Sequence, residues 1–220
     1  CLRVSCLCAT RDSSFLNSHQ IMAAESFDAE EKAHQLTELE LLDRTKVDVM
    51  KASLESQLKQ TNSYDSRNNL ALLRLYQFYP VLTEREVVEN VLMKALTNLP
   101  EPCFQHALCL LPPAIQTKPT IAFLIKLERL LQTGQFKAFW EHRSAPEVDD
   151  ARAMLERVAG FDDHVRRFIV TALTITYQRI SVDQMKLALN LSDVRDLCAE
   201  CNWTLEEDTV LFPENKENAP

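Results

Sequence analysis

The chain has 220 residues, of which 46% are apolar and 25% are charged, and its formal net charge is −8 at pH 7. This length and apolar content are sufficient for one large or two smaller folded domains. The negative charge argues against a surface that attracts nucleic acid or membranes over its whole extent.

Glycine is scarce, since Gly134 and Gly160 are the two that the sequence contains. Sandwiches, barrels and doubly wound sheets use glycine at tight turns and at helix–strand junctions, whereas helical arrays need little of it. The shortage therefore predicts a mainly α protein. It also excludes the glycine-rich phosphate loops, whose glycines lie much closer together than these two.

Residues 1–21 differ in character from the rest of the chain, and Met22 with Ala23-Ala24-Glu25 resembles a natural start. We expect residues 1–21 to be a leader that is disordered or not native. The sequence has no sustained apolar run of a secretory signal or a membrane span. Seven cysteines without regular spacing favour a reducing compartment. The chain is therefore expected to be cytoplasmic, with no membrane partner.

Residues 22–159 carry apolar stripes at helical spacing, and the prolines fall between the stripes. Leu36, Leu39 and Leu42 are expected to begin the first helix, and Thr83 with Glu86 is a candidate capping box. The predicted helices run over residues 36–60, 69–79, 83–96, 103–111, 119–133, 135–142 and 146–158. We interpret this segment as an α-solenoid of short antiparallel helices.

Residues 160–213 have the outline of a winged helix. A long amphipathic helix, capped by Asp162 or Asp163 and ending near Tyr177, is followed by shorter helices over residues 182–190 and 193–201. Ser181 and Ser192 are the expected caps of these two helices. Arg179-Ile180 could form a short strand, and a β-ribbon is expected from Trp203 to Phe212. Residues 214–220 then form a tail.

Charge weighs against DNA as a partner of this winged helix. From Gly160 to the end there are six Lys and Arg residues against eleven Asp and Glu residues, a net charge of −5. The third helix, which carries Asp193, Arg195, Asp196 and Glu200, has a net charge of −2. A phosphate-binding face needs an excess of cations. A transcription regulator is therefore the disfavoured rival class, and a protein partner is expected instead.

The wing should leave an unpaired strand edge, to which a neighbouring protein could add a strand. The residues predicted to form or adjoin this edge lie on the predicted strands, and a second contact is expected on the helix that starts at Asn69. Two adjacent arginines offer cations to RNA phosphate or to an acidic partner, although a solvated face is the simpler interpretation. The candidate partner interface comprises Ile180, Val210, Leu211, Phe212, Asn69, Arg166 and Arg167.

Candidate reactive groups do not assemble into a catalytic or metal site. Cys198 and Cys201 have the spacing of a metal or redox motif, but no second ligand pair accompanies them and both lie on an apolar stripe. His164 beside Asp162 and Asp163 could form a metal or acid–base cluster, but aspartates are ordinary at helix starts. We therefore expect no catalytic residue, no metal and no cofactor, and hence no enzyme.

The tail contains Lys216-Glu217-Asn218, which spells a degradation signal. Such a signal would act only if the tail were exposed. A triplet of this kind also arises often by chance, so an ordinary polar tail is the simpler interpretation.

Four segments, taken in order, resemble the subunit K family of eukaryotic translation initiation factor 3. They are Tyr64-Asp65 with residues 69–78 (NLALLRLYQF), residues 92–100 (LMKALTNLP), residues 135–140 (QFKAFW), and residues 160–169 (GFDDHVRRFI) with residues 175–178 (ITYQ). The resemblance covers about Ala33 to Phe212. The resemblance lies in the order and spacing of the four segments together, since each segment alone is an ordinary amphipathic helix.

The resemblance implies a helical repeat followed by a winged helix, acting as a non-catalytic scaffold subunit. It implies docking beside sister subunits, notably subunit L, in an assembly that binds the small ribosomal subunit during initiation. The same module is shared with subunits of the proteasome lid and the signalosome. An equivalent scaffold subunit of one of those complexes is therefore the alternative.

Overall fold

The computed structural model describes residues 31–33, 36–37, 39–145 and 149–218. The predictions about residues 1–21 and about the start of the repeat segment lie outside the described residues. Within these limits the chain is mainly α-helical with a small sheet near its C-terminal end, as predicted. The helices are α1 (Val47–Lys59), α2 (Ser66–Phe78), α3 (Arg85–Leu96), α4 (Cys103–Cys109), α5 (Pro113–Gln116), α6 (Pro119–Gln132), α7 (Phe136–Arg143), α8 (Asp149–Leu155), α9 (Phe161–Thr176), α10 (Val182–Leu189) and α11 (Arg195–Glu200).

The helices pack in succession, which is the arrangement expected of a helical array. Helix α1 packs against α2 and α3, α3 packs against α4 and α6, and α6 packs against α7 and α8. Helix α7 also contacts α10, so the array continues directly into the winged helix. Among the described residues, no helix is both long enough and apolar enough to cross a lipid bilayer.

Proline positions explain several of the helix boundaries. Helix α2 ends at Phe78, immediately before Tyr79 and Pro80, as the sequence predicts. Pro119 occupies the first turn of α6, where its missing N–H is not needed. The predicted apolar stripes of these helices are buried, as Leu72 and Leu124 illustrate with 0% exposure each.

The predicted start of the first helix is wrong. Leu39 and Leu42 are 83% and 43% exposed, and the α-helix begins at Val47. Short 3-10 turns at Glu40–Leu42 and Arg44–Lys46 replace the expected helical turns. Between them Asp43 has an extended backbone and accepts a hydrogen bond from the Thr45 N–H, which interrupts the helix.

The predicted capping box of Thr83 and Glu86 is also wrong. Helix α3 begins at Arg85, after Glu84, and no side chain caps it. Glu86 instead forms an ion pair with Arg157 at 2.8 Å. An exposed carboxylate gains a similar stabilising free energy from an ion pair and from capping a helix. The local sequence pattern therefore could not determine which partner Glu86 takes.

Two of the three caps predicted in the winged helix also differ. Gly160 precedes α9 with φ = 64°, which places Asp162 and Asp163 inside the first turn. Ser192 does not cap α11, because Asp193 accepts hydrogen bonds from its own neighbours, the Val194 and Arg195 N–H groups. Ser181 does cap α10, as predicted, and accepts from the Gln184 N–H at 3.3 Å.

Gly160 stands where a side chain would be strained. Its left-handed backbone is one that other residues rarely adopt. A Cβ at this position would lie 3.2 Å from the Thr61 Cγ2 atom, in the loop after α1. The junction between the array and α9 therefore favours glycine mainly for its backbone conformation, and the close approach to Thr61 adds to this preference.

The sheet has three antiparallel strands, β1 (Arg179–Ser181), β2 (Thr204–Glu206) and β3 (Thr209–Leu211), in the order β1-β3-β2. This confirms the predicted strand at Arg179-Ile180 and the predicted ribbon. One cluster of buried apolar side chains extends from Leu36 to Phe212. The array and the winged helix therefore share a core, and the boundary at residue 160 stays a prediction.

Candidate partner interface

The hydrogen bonds of β3 show which strand each of its residues faces. The Phe212 N–H donates to the Gln178 carbonyl at 2.9 Å, and the Val182 N–H donates to the Asp208 carbonyl at 2.8 Å. Val210 lies midway between these two pairs and, because main-chain groups alternate in direction along a strand, it also bonds toward β1.

The other residues of β3, Thr209 and Leu211, consequently bond toward β2. The same alternation points the main-chain N–H and C=O groups of Arg179 on β1, and of Leu205 on β2, away from β3. Each outer strand of the described sheet thus presents one such residue at its free edge. The main-chain groups of Ser181 point the same way as those of Arg179, but Ser181 is the N-cap of helix α10.

The β3 residues do not form a free edge themselves but adjoin both outer strands, because β3 is the central strand. Val210 is fully buried, and Leu211 is half-buried. Phe212 packs edge-to-face on Trp203, with ring centroids 4.8 Å apart. These residues adjoin the edges, whereas Ile180 lies on the edge strand β1 with its side chain turned into the core.

Asn69 is not on the surface, and its place in the candidate interface is a further error. Its side chain is 0% exposed. Its Nδ2 atom donates to Gln57 Oε1 at 3.0 Å, and Gln57 Nε2 donates to Asn69 Oδ1 at 3.2 Å. A buried amide pair of this kind fixes the register of α1 against α2.

The Arg166 side chain makes most of its contacts within the molecule. Its guanidinium lies 5.3 Å from the centre of the Trp140 ring, and its Nε atom donates to the Leu189 carbonyl at 3.1 Å. A second nitrogen donates to Asp163 Oδ1 at 3.0 Å. Trp140 in turn donates from Nε1 to the Ala188 carbonyl at 2.8 Å. We call this set, Trp140 and Arg166 with the two carbonyls, the Trp140–Arg166 junction.

Arg167 is exposed, as a partner contact would require. It makes two long hydrogen bonds, to the Asp163 carbonyl and to Asn62 Oδ1, both at 3.4 Å. Bonds of this length leave its charge largely available to solvent or to a partner.

The titratable groups singled out by sequence do not converge on one point. Asp162 pairs with Arg143 at 2.7 Å, whereas the His164 ring bonds to the Gly160 carbonyl at 2.8 Å. Burial raises the pKa of both the Cys198 and the Cys201 thiols, which disfavours the reactive thiolate. Among the described residues, no group of three or more possible metal ligands lies together.

The tail is folded back onto α9 as far as Asn218. Asn218 is 7% exposed, and its side-chain amide donates to the carbonyls of Thr174, Tyr177 and Pro213 at 3.1–3.3 Å. The Asn215 N–H donates to Asn218 Oδ1 at 2.7 Å. The last member of the degradation triplet is therefore covered, whereas Lys216 and Glu217 are exposed.

The exposed surface of the wing is acidic. Asp196 and Glu200 project from α11, and Glu206, Glu207 and Asp208 surround the turn between β2 and β3. The helix that would read DNA in a DNA-binding winged helix thus carries a negative surface.

A groove that the sequence did not predict lies at the end of α2. We call it the Tyr76 groove; it has a volume of about 610 Å³ and is lined mainly by Leu73, Tyr76, Val88, Leu111, Pro112 and Ile115. Exposed Phe78 and Val81 lie beside it in the chain. The sequence signal that could have revealed this groove is the run of apolar residues on both sides of Pro80. A helix that buries one apolar stripe does not need a continuous run of this kind.

Comparison with known protein sequences finds a matching family and several named relatives. The model of the CSN8/PSMD8/EIF3K family matches residues 82–220. Proteins named eukaryotic translation initiation factor 3 subunit K from Homo sapiens and Bos taurus are 37% identical over 164 residues, covering 72% of this chain and 72% of each relative. The protein of that name from Danio rerio is 34% identical over 163 residues, covering 72% of this chain and 71% of its own. Since both the family model and these relatives match most of its length, the chain belongs to the CSN8/PSMD8/EIF3K family.

Proposed function

We propose that the protein is a non-catalytic scaffold subunit of the eukaryotic translation initiation factor 3 complex. It acts in the cytoplasm and helps the complex to assemble on the small ribosomal subunit during initiation. The observation that carries this proposal is the 37% identity over 164 residues to relatives named as subunit K of that factor.

An equivalent scaffold subunit of the proteasome lid or the signalosome is the alternative. The name of the family joins three proteins, so membership alone does not choose among them. The names of the relatives from vertebrates, an insect and a fungus favour the initiation factor.

A binding role without chemistry is supported by how the polar groups are used. Asp162 and Asp163 are paired with arginines, and His164 bonds to a main-chain carbonyl. The buried Cys198 thiol has a raised pKa and therefore little nucleophilic character. Groups committed in this way are poor candidates for a catalytic acid, base or nucleophile.

We infer that sister subunits, notably subunit L, dock on the free edge of β1. The outward N–H and C=O groups of Arg179 would bond to a partner strand, and Ile180 would hold β1 to the core from below. Val210, Leu211 and Phe212 support this edge from the central strand. Exposed Arg167 offers a further contact, whereas the buried Asn69 does not.

Proline at the two outward-facing strand positions tests this inference. Arg179→Pro removes the outward N–H without removing a bond to β3, and Leu205→Pro makes the same change at the opposite edge. We expect Arg179→Pro to weaken recovery of sister subunits by about 10-fold to 100-fold, because one or two edge hydrogen bonds are lost.

Recovery should be measured by quantitative mass spectrometry after affinity purification, with circular dichroism to check the helical content. Leu205→Pro is the matched control and should leave recovery unchanged. Equal recovery with both variants would show that β1 is not the docking edge, and loss with Leu205→Pro alone would move the contact to β2.

A further inference from the structure

The free edge of β1 borders a cleft that strand pairing alone does not use. The cleft has a volume of about 520 Å³, within the range of about 300–1,000 Å³ typical of binding pockets. Its walls come from α6, α7, α9, β1 and α10, and their apolar side chains there include Leu131, Phe136, Phe168, Ala172, Ile180 and Ala188. We call it the β1 cleft. It is therefore built jointly by the array and the winged helix.

The cleft lies on the side of β1 that β3 leaves uncovered. Arg179 and Ile180 of β1 belong to its lining, whereas no residue of β3 does. Ile180 pairs with Val210 of β3, so the main-chain N–H and C=O groups of Arg179 point to the opposite side. Two unpaired main-chain groups and an apolar cleft thus occupy the same side of one strand.

This combination indicates an extended polypeptide as the occupant. A strand that pairs with β1 would lie about 4.7–4.9 Å from it, with side chains alternating between the two faces of the sheet. The residue opposite Ile180 would place its side chain on the same face as the Ile180 side chain, which lines the cleft. Strand addition commonly uses main-chain bonds for affinity and a side-chain pocket for specificity. The side chain opposite Ile180 is therefore the one that would enter the cleft.

The walls of the cleft are incompletely covered in the isolated chain. Phe136, Phe168, Ala172 and Ala188 are half-buried, and Tyr177 in the lining is 47% exposed. A large apolar side chain in the cleft would remove this surface from water, as the anchor residues of protein interfaces do. A small or polar side chain would leave it wet.

Charge restricts what can lie beside that side chain. Arg179 is the one charged residue in the lining, and its guanidinium forms no ion pair within the described part of the chain. A lysine or arginine of the partner would meet this cation without finding a carboxylate in the lining. The position next to the anchor is therefore expected to be neutral or acidic.

We propose that the β1 cleft receives a large apolar side chain from the strand of a sister subunit that pairs with β1, and that Arg179 excludes basic residues beside it. The inference rests on the proposed function, because it takes the free edge of β1 as the docking site. It goes further by naming the side-chain chemistry that the partner strand carries.

Filling the cleft tests this inference. Ala172→Phe fills it from α9 and Ala188→Leu fills it from α10, and each should weaken recovery of sister subunits by about 10-fold or more, as loss of an interface anchor does. Thr171→Phe, at an exposed neighbouring position outside the lining, is the matched control and should leave recovery unchanged. Circular dichroism identifies the filling variants that remain folded. Full recovery with a folded filling variant, or an equal loss with Thr171→Phe, would overturn the inference.

Photo-crosslinking identifies the chemistry of the occupant. Gln184 is exposed and lines the cleft, so p-benzoylphenylalanine in its place should crosslink the docked strand in the assembly purified from eukaryotic cells. We expect the crosslinked peptide to come from a sister subunit and to carry a large apolar residue, without Lys or Arg, within about two positions of the crosslink. The same probe at Asp183, an exposed neighbour outside the lining, should give much less of this product. A crosslink to a basic segment, or to a second copy of this chain, would contradict the proposal.

The recovery measurements separate this inference from the function on which it rests. If Arg179→Pro weakens recovery and the filled variants do not, the cleft proposal alone fails. If neither change affects recovery, β1 is not the docking edge and the cleft proposal fails with it. If the unsubstituted chain recovers no sister subunit, the proposed function itself fails.

Discussion

Asn218 shows how one residue near the end of the chain completes a helix that lies far from it in sequence. The last carbonyls of a helix have no partner within the helix. The Asn218 amide supplies one for Thr174, and the Asn215 side chain donates to the same carbonyl at 3.1 Å. The tail is thus part of the fold as far as Asn218.

Asn218→Ala should therefore lower the free energy of unfolding by about 1–3 kcal/mol, because the carbonyls that it serves lose a buried partner. Urea denaturation followed by circular dichroism measures this change. Glu217→Ala, at an exposed neighbouring position, is the control and should stay within about 0.5 kcal/mol of the unsubstituted chain. If the two variants are equally stable, the tail does not hold α9.

At this scale the sequence misled wherever the partner of a polar residue is distant. Asn69 was expected to start a helix that presents a partner contact, but its side chain pairs with Gln57 across the α1–α2 contact. Gly160, which lies close to Thr61, stands at the start of α9 in place of the predicted aspartate cap. Neither neighbour can be inferred from local spacing. The Ser181 cap was predicted correctly, since the Gln184 N–H that donates to it lies within one turn.

At the scale of secondary structure, the Trp140–Arg166 junction connects the array to the winged helix. Trp140 on α7 and Arg166 on α9 both donate to carbonyls at the end of α10. The end of a helix carries a partial negative charge, which the guanidinium complements. One aromatic ring and one cation therefore hold three helices together.

We expect Trp140→Phe to destabilise the protein by about 1–3 kcal/mol, because the Ala188 carbonyl loses its donor and the cation–π contact weakens. Hydrogen exchange should localise the effect, with faster exchange in α10 than in α3. Lys137→Ala, on an exposed position of α7, provides the comparison and should change neither rate. Unchanged exchange in α10 of the Trp140 variant would show that the junction is dispensable.

Helices were easier to predict than the sheet for a physical reason. The helical stripes repeat over several turns, and prolines fix the boundary of α2 and the start of α6. The strands have three residues each, which is too short for a clear alternation. The sequence predicted that strands exist, but not that β3 would lie between the other two, because strand order depends on the chain's path in space.

At the scale of the whole molecule, negative charge and exposed apolar features point to protein partners. The net charge of −8 includes the acidic wing, whereas the lining of the Tyr76 groove has no charged side chain. Repulsion of nucleic acid by this negative charge is consistent with the protein partners that we propose. The composition predicted the first property, and only the packed structure reveals the groove.

The acidic wing should not bind duplex DNA. Fluorescence anisotropy with a labelled duplex at low salt should show no binding at micromolar protein, because the helix that would enter the groove carries Asp196 and Glu200. Glu200→Gln should bind no better. Salt-dependent binding of the unsubstituted chain would support the rival class of transcription regulators.

The central claim is that this chain is a subunit of initiation factor 3, and the most direct measurement is the composition of the assembly that contains it. The tagged chain should be purified from eukaryotic cells and its partners quantified by mass spectrometry, with sedimentation to separate the fraction bound to small ribosomal subunits. We predict that the other subunits of initiation factor 3, including subunit L, are recovered in equal amounts, and that part of the assembly sediments with the small ribosomal subunit. Recovery of proteasome-lid or signalosome subunits instead, or of no stoichiometric partner, would contradict the claim.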